Sequence, residues 1–221
     1  MFIDTIVVPQ GAEYQAVCRG LNRAGCNCME VIAIPIGTRN IQQILSDRSS
    51  ELSRAKNILI LGLCGSLNPE YKVGDIVLYQ NCWNLKHQSV SLNSKLNAEI
   101  EQKISVSLVD GLTSDRLVCQ AEEKLKLSQT YPGNVVDMEG YDYTKELQKR
   151  NISVAMLRVV SDDVTGNIPD LTKAVDPKGN LQPIPMAIAF LKQPVAAVRL
   201  IQGSLTGLNK LREITEKLFY R

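Results

Sequence analysis

Histidine is nearly missing from this chain of 221 residues: His87 is the single imidazole, set in the polar stretch NLKHQSV with no nucleophile motif around it. Ser–His and Cys–His catalysis therefore find no support. The six cysteines do not fill the gap, because Cys26 and Cys28 form a C-x-C with no second pair downstream. They read as small buried residues near a turn rather than as zinc ligands. No window is apolar for the roughly 20 residues that a transmembrane helix needs. The N-terminal MFIDTIVVPQ carries Asp4 and no basic region, so it reads as a first strand and not as a signal peptide. Without a signal peptide, the thiols are expected to stay reduced in the cytoplasm. A formal net charge of only +2 gives no reason to expect nucleic acid or an anionic membrane as partner. Neither the dinucleotide fingerprint nor the P-loop is present. Acid–base chemistry, if the chain performs any, falls to carboxylates.

What is present is an alternation of apolar runs and amphipathic segments, without internal repeats or low-complexity tracts. The length suits one domain spanning 1–221. Strands are expected over 2–9, 29–37, 57–63, 75–80, 115–119, 134–139 and 152–161, and helices over 11–24, 38–55, 93–109, 120–129, 140–150 and 194–219. The last helix keeps its apolar spacing despite two glycines. This pattern predicts an α/β protein, a three-layer α/β/α sandwich around a mixed central sheet. The stretch 164–185 is rich in Pro, Gly, Asn and Asp and reads as a long loop over the end of the last strand. Ligands of open α/β sheets bind at the carboxyl ends of strands, and there this chain places PQGAE, GLCGSL, DMEGYD and SDD.

Each of these motifs has a structural and a functional reading. The glycines of GLCGSL (62–67) serve either a tight turn with positive φ or a nest of backbone amides for an anion. In VVDMEG (135–140), Glu139 stands at the start of a helix, where a carboxylate is favoured by the helix dipole. The alternative is a carboxylate that accepts hydrogen bonds from vicinal sugar hydroxyls. In VAMLRVVSDD (154–163) an apolar strand ends on two adjacent carboxylates. They form either a solvated strand end or a general acid kept protonated by burial and a neighbouring charge. Arg158, inside that strand and on the same alternation face as Asp162, is expected to be a buried ion-pair partner for one of its carboxylates.

Taken together, GLCGSL followed by VGD (73–75), VDMEG (136–140) and LRVVSDD (157–163) resemble the nucleoside phosphorylase/nucleosidase superfamily in order and spacing. The resemblance implies cleavage of the N-glycosidic bond of a purine nucleoside, adenine above all, with phosphate or water as acceptor. It implies Asp162 as the group that protonates the leaving base, supported by Ser161, and Glu13 as a residue that orients water. Glu139 would hold the ribose hydroxyls, Met138 would pack on the sugar, and Leu117 and Val118 would contact the base. Where relatives place Ser or Thr after the first glycine of the G-x-x-G block, this chain has Leu63. An acceptor site would then be built from Gly11, Gly65, Ser66 and Arg39. The aromatic residue that commonly stacks on the base is replaced by Leu117. No cofactor or metal is implied, the substrate is a small nucleoside, and a homo-oligomer is expected by analogy. The DRLV, AEEK and post-SDD segments resemble those of hopanoid-associated phosphorylases, for which the apolar stretch 184–198 would face a lipid tail. The plainer reading of that stretch is a core helix broken at Pro194. Three readings of function stay open: a phosphorylase, a methylthioadenosine/S-adenosylhomocysteine nucleosidase-type hydrolase, and a nucleoside-binding module without turnover.

Overall fold

The strand around which the others assemble is Ser153–Asp162, and after its first residue every position in it is buried. In a computed structural model that describes residues 3–26, 28–37, 41–171, 174 and 182–220, eight strands form one mixed sheet. In chain order they are β1 (Thr5–Pro9), β2 (Glu30–Ile34), β3 (Asn57–Ser66), β4 (Ile76–Asn84), β5 (Ser89–Ser91), β6 (Ser107–Thr113), β7 (Val135–Asp137) and β8 (Ser153–Asp162). The order across the sheet is β2-β1-β3-β7-β6-β4-β5, and β8 pairs with both β3 and β4. It runs parallel to β3 and antiparallel to β4. Strands β3, β7, β6, β4 and β8 therefore close on one another, while β1 and β2 extend the sheet outward from β3.

Both faces of this sheet are covered, which is why the middle of β8 reads as an apolar run, interrupted only by Arg158, rather than an alternating one. Val154, Met156 and Val160 join one core with Leu45, Leu52 and Tyr143. Those partners come from α2 (Ile41–Asp47), α3 (Ser49–Leu52) and α6 (Gly140–Gln148). Ala155, Leu157 and Val159 join the other core with Val17, Ile100 and Leu211, supplied by α1 (Ala12–Arg23), α4 (Ser94–Lys103) and α8 (Pro194–Phe219). The result is the three-layer α/β/α arrangement that the alternation of elements predicts. Two more helices, α5 (Ala121–Thr130) and α7 (Pro183–Lys192), complete the described elements.

The glycines inside α8 are explained by how closely that helix lies on β8. A Cβ at Gly203 would sit 2.0 Å from the Ser161 carbonyl oxygen, and one at Gly207 would sit 3.0 Å from Leu63. The space a side chain would need is filled by the backbone of β8 at Gly203 and by the Leu63 side chain of β3 at Gly207.

Several expectations fail for local reasons. The helix expected over 93–109 ends at Lys103, and Ser107–Thr113 forms β6, held by β4 on one side and β7 on the other. The strand expected at 115–119 does not form. With β6 in that place, the residues after it turn inward as irregular chain and bury Val118 and Cys119. Within 38–55 the described part is two short helices rather than one. The apolar stretch 184–198 does break just before Pro194, as proline requires, but it is no core helix. No residue of α7 is buried, and Ile184, Leu191 and Val195 are among the most exposed large apolar side chains.

Gly203→Ala is expected to lower unfolding stability by about 2–3 kcal/mol, since a backbone carbonyl cannot yield as a side chain can. Urea denaturation with an unchanged m-value checks it.

Candidate active site

A pocket opens where β3, β7 and β8 end and where α1 and α6 begin, walled by Glu13, Gly65, Val118, Met138, Glu139 and Asp162 among others. Its chemistry divides into two groups of charges, each built around a cation that the sheet buries completely.

The first cation is Arg158. Its side chain is inaccessible to solvent, and its NH2 lies 3.3 Å from Asp137 Oδ2 and 3.4 Å from Glu139 Oε2. Burial works against the guanidinium's charge, but Asp137 and Glu139 outweigh it and raise its pKa. Arg158 is buried in an ion pair as expected, but its partners stand on β7 and at the start of α6 rather than at the end of its own strand, where Asp162 and Asp163 pair with other cations. Asp137, not Glu139, satisfies the first amides of α6. Its Oδ1 accepts hydrogen bonds from the amides of Glu139 (3.3 Å) and Gly140 (3.0 Å) and from Thr113 Oγ1 (2.8 Å). Glu139 makes no side-chain cap and is thereby left to the pocket. Its Oε1 accepts from the Gly37 amide at 2.8 Å. Burial raises the Glu139 pKa and Asp137 adds to that, while Arg158 opposes both.

Glu13, in the first turn of α1, reaches the same charge cluster. Its Oε1 accepts a hydrogen bond from the Leu63 amide at 2.7 Å. Desolvation lifts its pKa to about 7, with Glu139 adding to the rise while Arg158 and the Leu63 amide oppose it. Gly62 is what lets these groups meet, since a Cβ there would lie 2.1 Å from Arg158 NH1 and 2.9 Å from Glu13 Oε1. Gly65 likewise makes room for the Asp162 carboxylate, 2.8 Å from where its Cβ would be. Both glycines of GLCGSL lie in extended strand β3 and neither has positive φ. The motif is therefore neither a tight turn nor an anion nest; it is a strand thinned to admit charged side chains.

The second cation is Lys124. It is the one buried residue of α5, fully inaccessible, and its Nζ pairs with Asp162 Oδ2 and donates to the Asp163 carbonyl at 3.0 Å. The pairing of β8 with β3 slips at its end, Cys64 matching Val160 and Gly65 matching Asp162, so Ser161 is bulged out. Ser161 Oγ lies within donating reach of Asp162 Oδ1 (3.1 Å) and the Cys64 carbonyl (3.3 Å). The charge beside Asp162 is thus a cation, where the motif SDD suggests a second carboxylate. Asp163 turns away to Arg199 NH2 (2.7 Å), Thr165 Oγ1 (2.7 Å) and the Thr165 amide (2.9 Å). Desolvation pulls its pKa up, but the hydrogen bonds from Thr165 and Arg199 prevail and lower it.

Of the residues expected in the site, Glu13, Gly65, Leu117, Val118, Met138, Glu139, Ser161 and Asp162 all line this one pocket. Gly11 and Ser66 do not. Gly11 is exposed with φ +90° at the start of α1. Ser66 is buried in its own turn, its Oγ donating to the Asn68 carbonyl (2.6 Å) and accepting from the Asn68 amide (3.1 Å). Arg39 lies outside the described residues. His87 stacks on Tyr131 at 4.6 Å and lines no part of the pocket. Lys124 escapes the sequence reading because AEEKLKLSQ looks like a solvated, charge-laced helix, and nothing in it marks one lysine as the buried one.

The sequence model of the phosphorylase superfamily matches residues 16–182. No match to curated proteins was found. Among solved structures, a 5'-methylthioadenosine/S-adenosylhomocysteine nucleosidase of Helicobacter pylori, a mutant holding 5'-methylthioadenosine in its active site, superposes with a TM-score of 0.65 at 17% identity. That match covers 97% of this chain and 98% of that one. A putative nucleosidase of the same kind from Francisella philomiragia gives 0.70 at 15% identity over 97% and 96%. Futalosine hydrolase of Helicobacter pylori gives 0.65 at 16% identity over 95% of each chain.

Because the Glu13 carboxyl titrates near 4.5 when free and at about 7 here, the folded chain keeps a proton that the unfolded chain releases. Its stabilising contribution is complete below the lower value and lost as pH rises through the upper one. Glu13→Gln lacks that loss. The Tm of the variant minus that of the wild type should increase between pH 5 and pH 8, as read by calorimetry.

Proposed function

This chain belongs to the phosphorylase superfamily and is an enzyme of the nucleoside phosphorylase/nucleosidase type, and we propose that it hydrolyses the N-glycosidic bond of an adenine nucleoside. The observation that carries the choice of water is Glu13: a carboxyl with a pKa of about 7, held beside Arg158 and Glu139 at one end of the pocket. A base poised near neutrality suits deprotonation of water. Two carboxyl groups at the acceptor end would repel a phosphate dianion, and Arg158 already has its charge matched by Asp137 and Glu139. Ser66, the hydroxyl expected for a phosphate site, is turned into its own loop. The choice of adenine as the base is supported by the likeness in fold to a Helicobacter pylori nucleosidase that holds 5'-methylthioadenosine.

In this reading the sugar hydroxyls bond to Glu139, Met138 packs against the sugar, and Leu117 and Val118 hold the base by apolar contact. As the bond between C1' and the base nitrogen breaks, its electron pair leaves with the base, which takes a proton at the Asp162 end. Water adds to C1' and gives its proton to Glu13. The carboxylates beside C1' stabilise the oxocarbenium character that develops there.

Incubation with adenosine, methylthioadenosine, S-adenosylhomocysteine and an adenosyl-hopanoid, with and without phosphate, tests the reading. Free adenine and a free sugar are expected at a rate that phosphate does not change. A sugar 1-phosphate formed only with phosphate present would replace hydrolysis by phosphorolysis. Nucleoside binding without adenine release would leave a binding module. For the favoured substrate, kcat/KM should fall as pH drops below about 7 because protonated Glu13 cannot act as base. Glu13→Gln should lower kcat about 10²–10⁴-fold, the usual worth of a general base.

A further inference from the structure

Lysine is almost never fully buried unless it is paired, and a buried ion pair seldom stabilises a fold more than apolar residues of equal volume. Lys124 is fully buried on a helix that buries nothing else, and its ammonium meets the one carboxylate at the base end of the pocket. Asp162 in turn has a donor at each oxygen, Lys124 at Oδ2 and Ser161 at Oδ1. A side chain placed so has little to offer stability and much to offer the carboxylate.

We propose that Lys124 is a positioning residue that acts through Asp162: it fixes the carboxyl's orientation and supplies the proton that the departing base takes up. The inference rests on the hydrolase reading and deepens it. In the step itself, the C1'–N bond breaks and its electron pair goes to the base. The proton passes from Lys124 Nζ to the Asp162 carboxyl and from that carboxyl to a ring nitrogen of the base. Lys124 is left as a neutral amine and regains a proton from water after the base departs. With solvent excluded, an ion pair and its neutral counterpart lie closer in energy than they do in water, which is what such a transfer needs. The Asp163 carbonyl holds the amine throughout, so the donor does not swing away.

Two substrates separate this role from a scaffolding one: adenosine, whose base must be protonated to leave, and 4-nitrophenyl β-riboside, whose phenolate leaves without a proton. Lys124→Met is expected to lower kcat on adenosine about 10²-fold or more, the range of a lost general acid, with KM changed by less than about threefold. The same variant should cleave the nitrophenyl riboside at close to the wild-type rate. Equal losses on both substrates would overturn the proposal. Lys124→Arg keeps the charge but does not give up a proton, so it should stay folded and fail on adenosine; full adenosine turnover by it would also overturn the idea. If the wild type cleaves neither substrate, the hydrolase reading has failed by itself. The pair is then judged by the Tm of Lys124→Met, Asp162→Asn and the double variant. A double variant more stable than the sum of the two losses predicts supports the coupling, and simple additivity rejects it.

Discussion

The guanidinium of Arg158 is the constraint to which the rest of the site answers. A full positive charge in the middle of the long, buried strand β8 is costly unless it is matched at close range. Asp137 and Glu139 match it from β7 and the start of α6, Gly62 withholds a side chain to admit it, and Glu13 approaches from α1. Four elements from three separate parts of the sequence thereby converge on one group. Burial lifts the pKa of Glu13 to about 7, and Arg158, already matched by two other carboxylates, offsets that rise only in part. A fold-level requirement and a catalytically useful base are thus one and the same arrangement.

The opposite end of the pocket repeats the device with different parts. Lys124 enters from α5 to meet Asp162, while Asp163, next to it in sequence, is drawn off to Arg199 and Thr165. The bulge at Ser161 keeps the two ends distinct. By slipping the pairing between Cys64 and Gly65, it sets Asp162 against Gly65 and lets Ser161 Oγ reach the carboxylate. Helix α8 braces this turn through Gly203, whose missing side chain lets the helix lie against the Ser161 carbonyl. Each carboxylate of the pocket thus has a cation or a backbone amide as partner.

Much of this was legible in the residues. The alternation of apolar runs and amphipathic segments predicts the layered sandwich, and β1, β2, β8, α1, α5, α6 and α8 fall within a few residues of their expected places. The family resemblance that the motifs carry pointed to eight residues that line one pocket. What misled were segments whose local pattern is weak. The run SLVDGLT mixes polar and apolar residues without a clear period, and it becomes a strand only because β4 and β7 have hydrogen bonds to offer on both sides. DRLVC has the more strand-like composition and finds no such partners.

The sequence by itself determined the layered architecture and most of the element order, because these follow from periodicity, propensity and residue type, all of which are local. Only the tertiary structure decided which charge stands beside which. It placed a cation rather than a carboxylate against Asp162, gave the capping of α6 to Asp137 so that Glu139 faces the pocket, and emptied Gly62 and Gly65 for charged side chains rather than for a ligand's phosphate. Electrostatic energy depends on distances of a few ångströms between residues tens of positions apart, and those distances exist only once the sheet has closed.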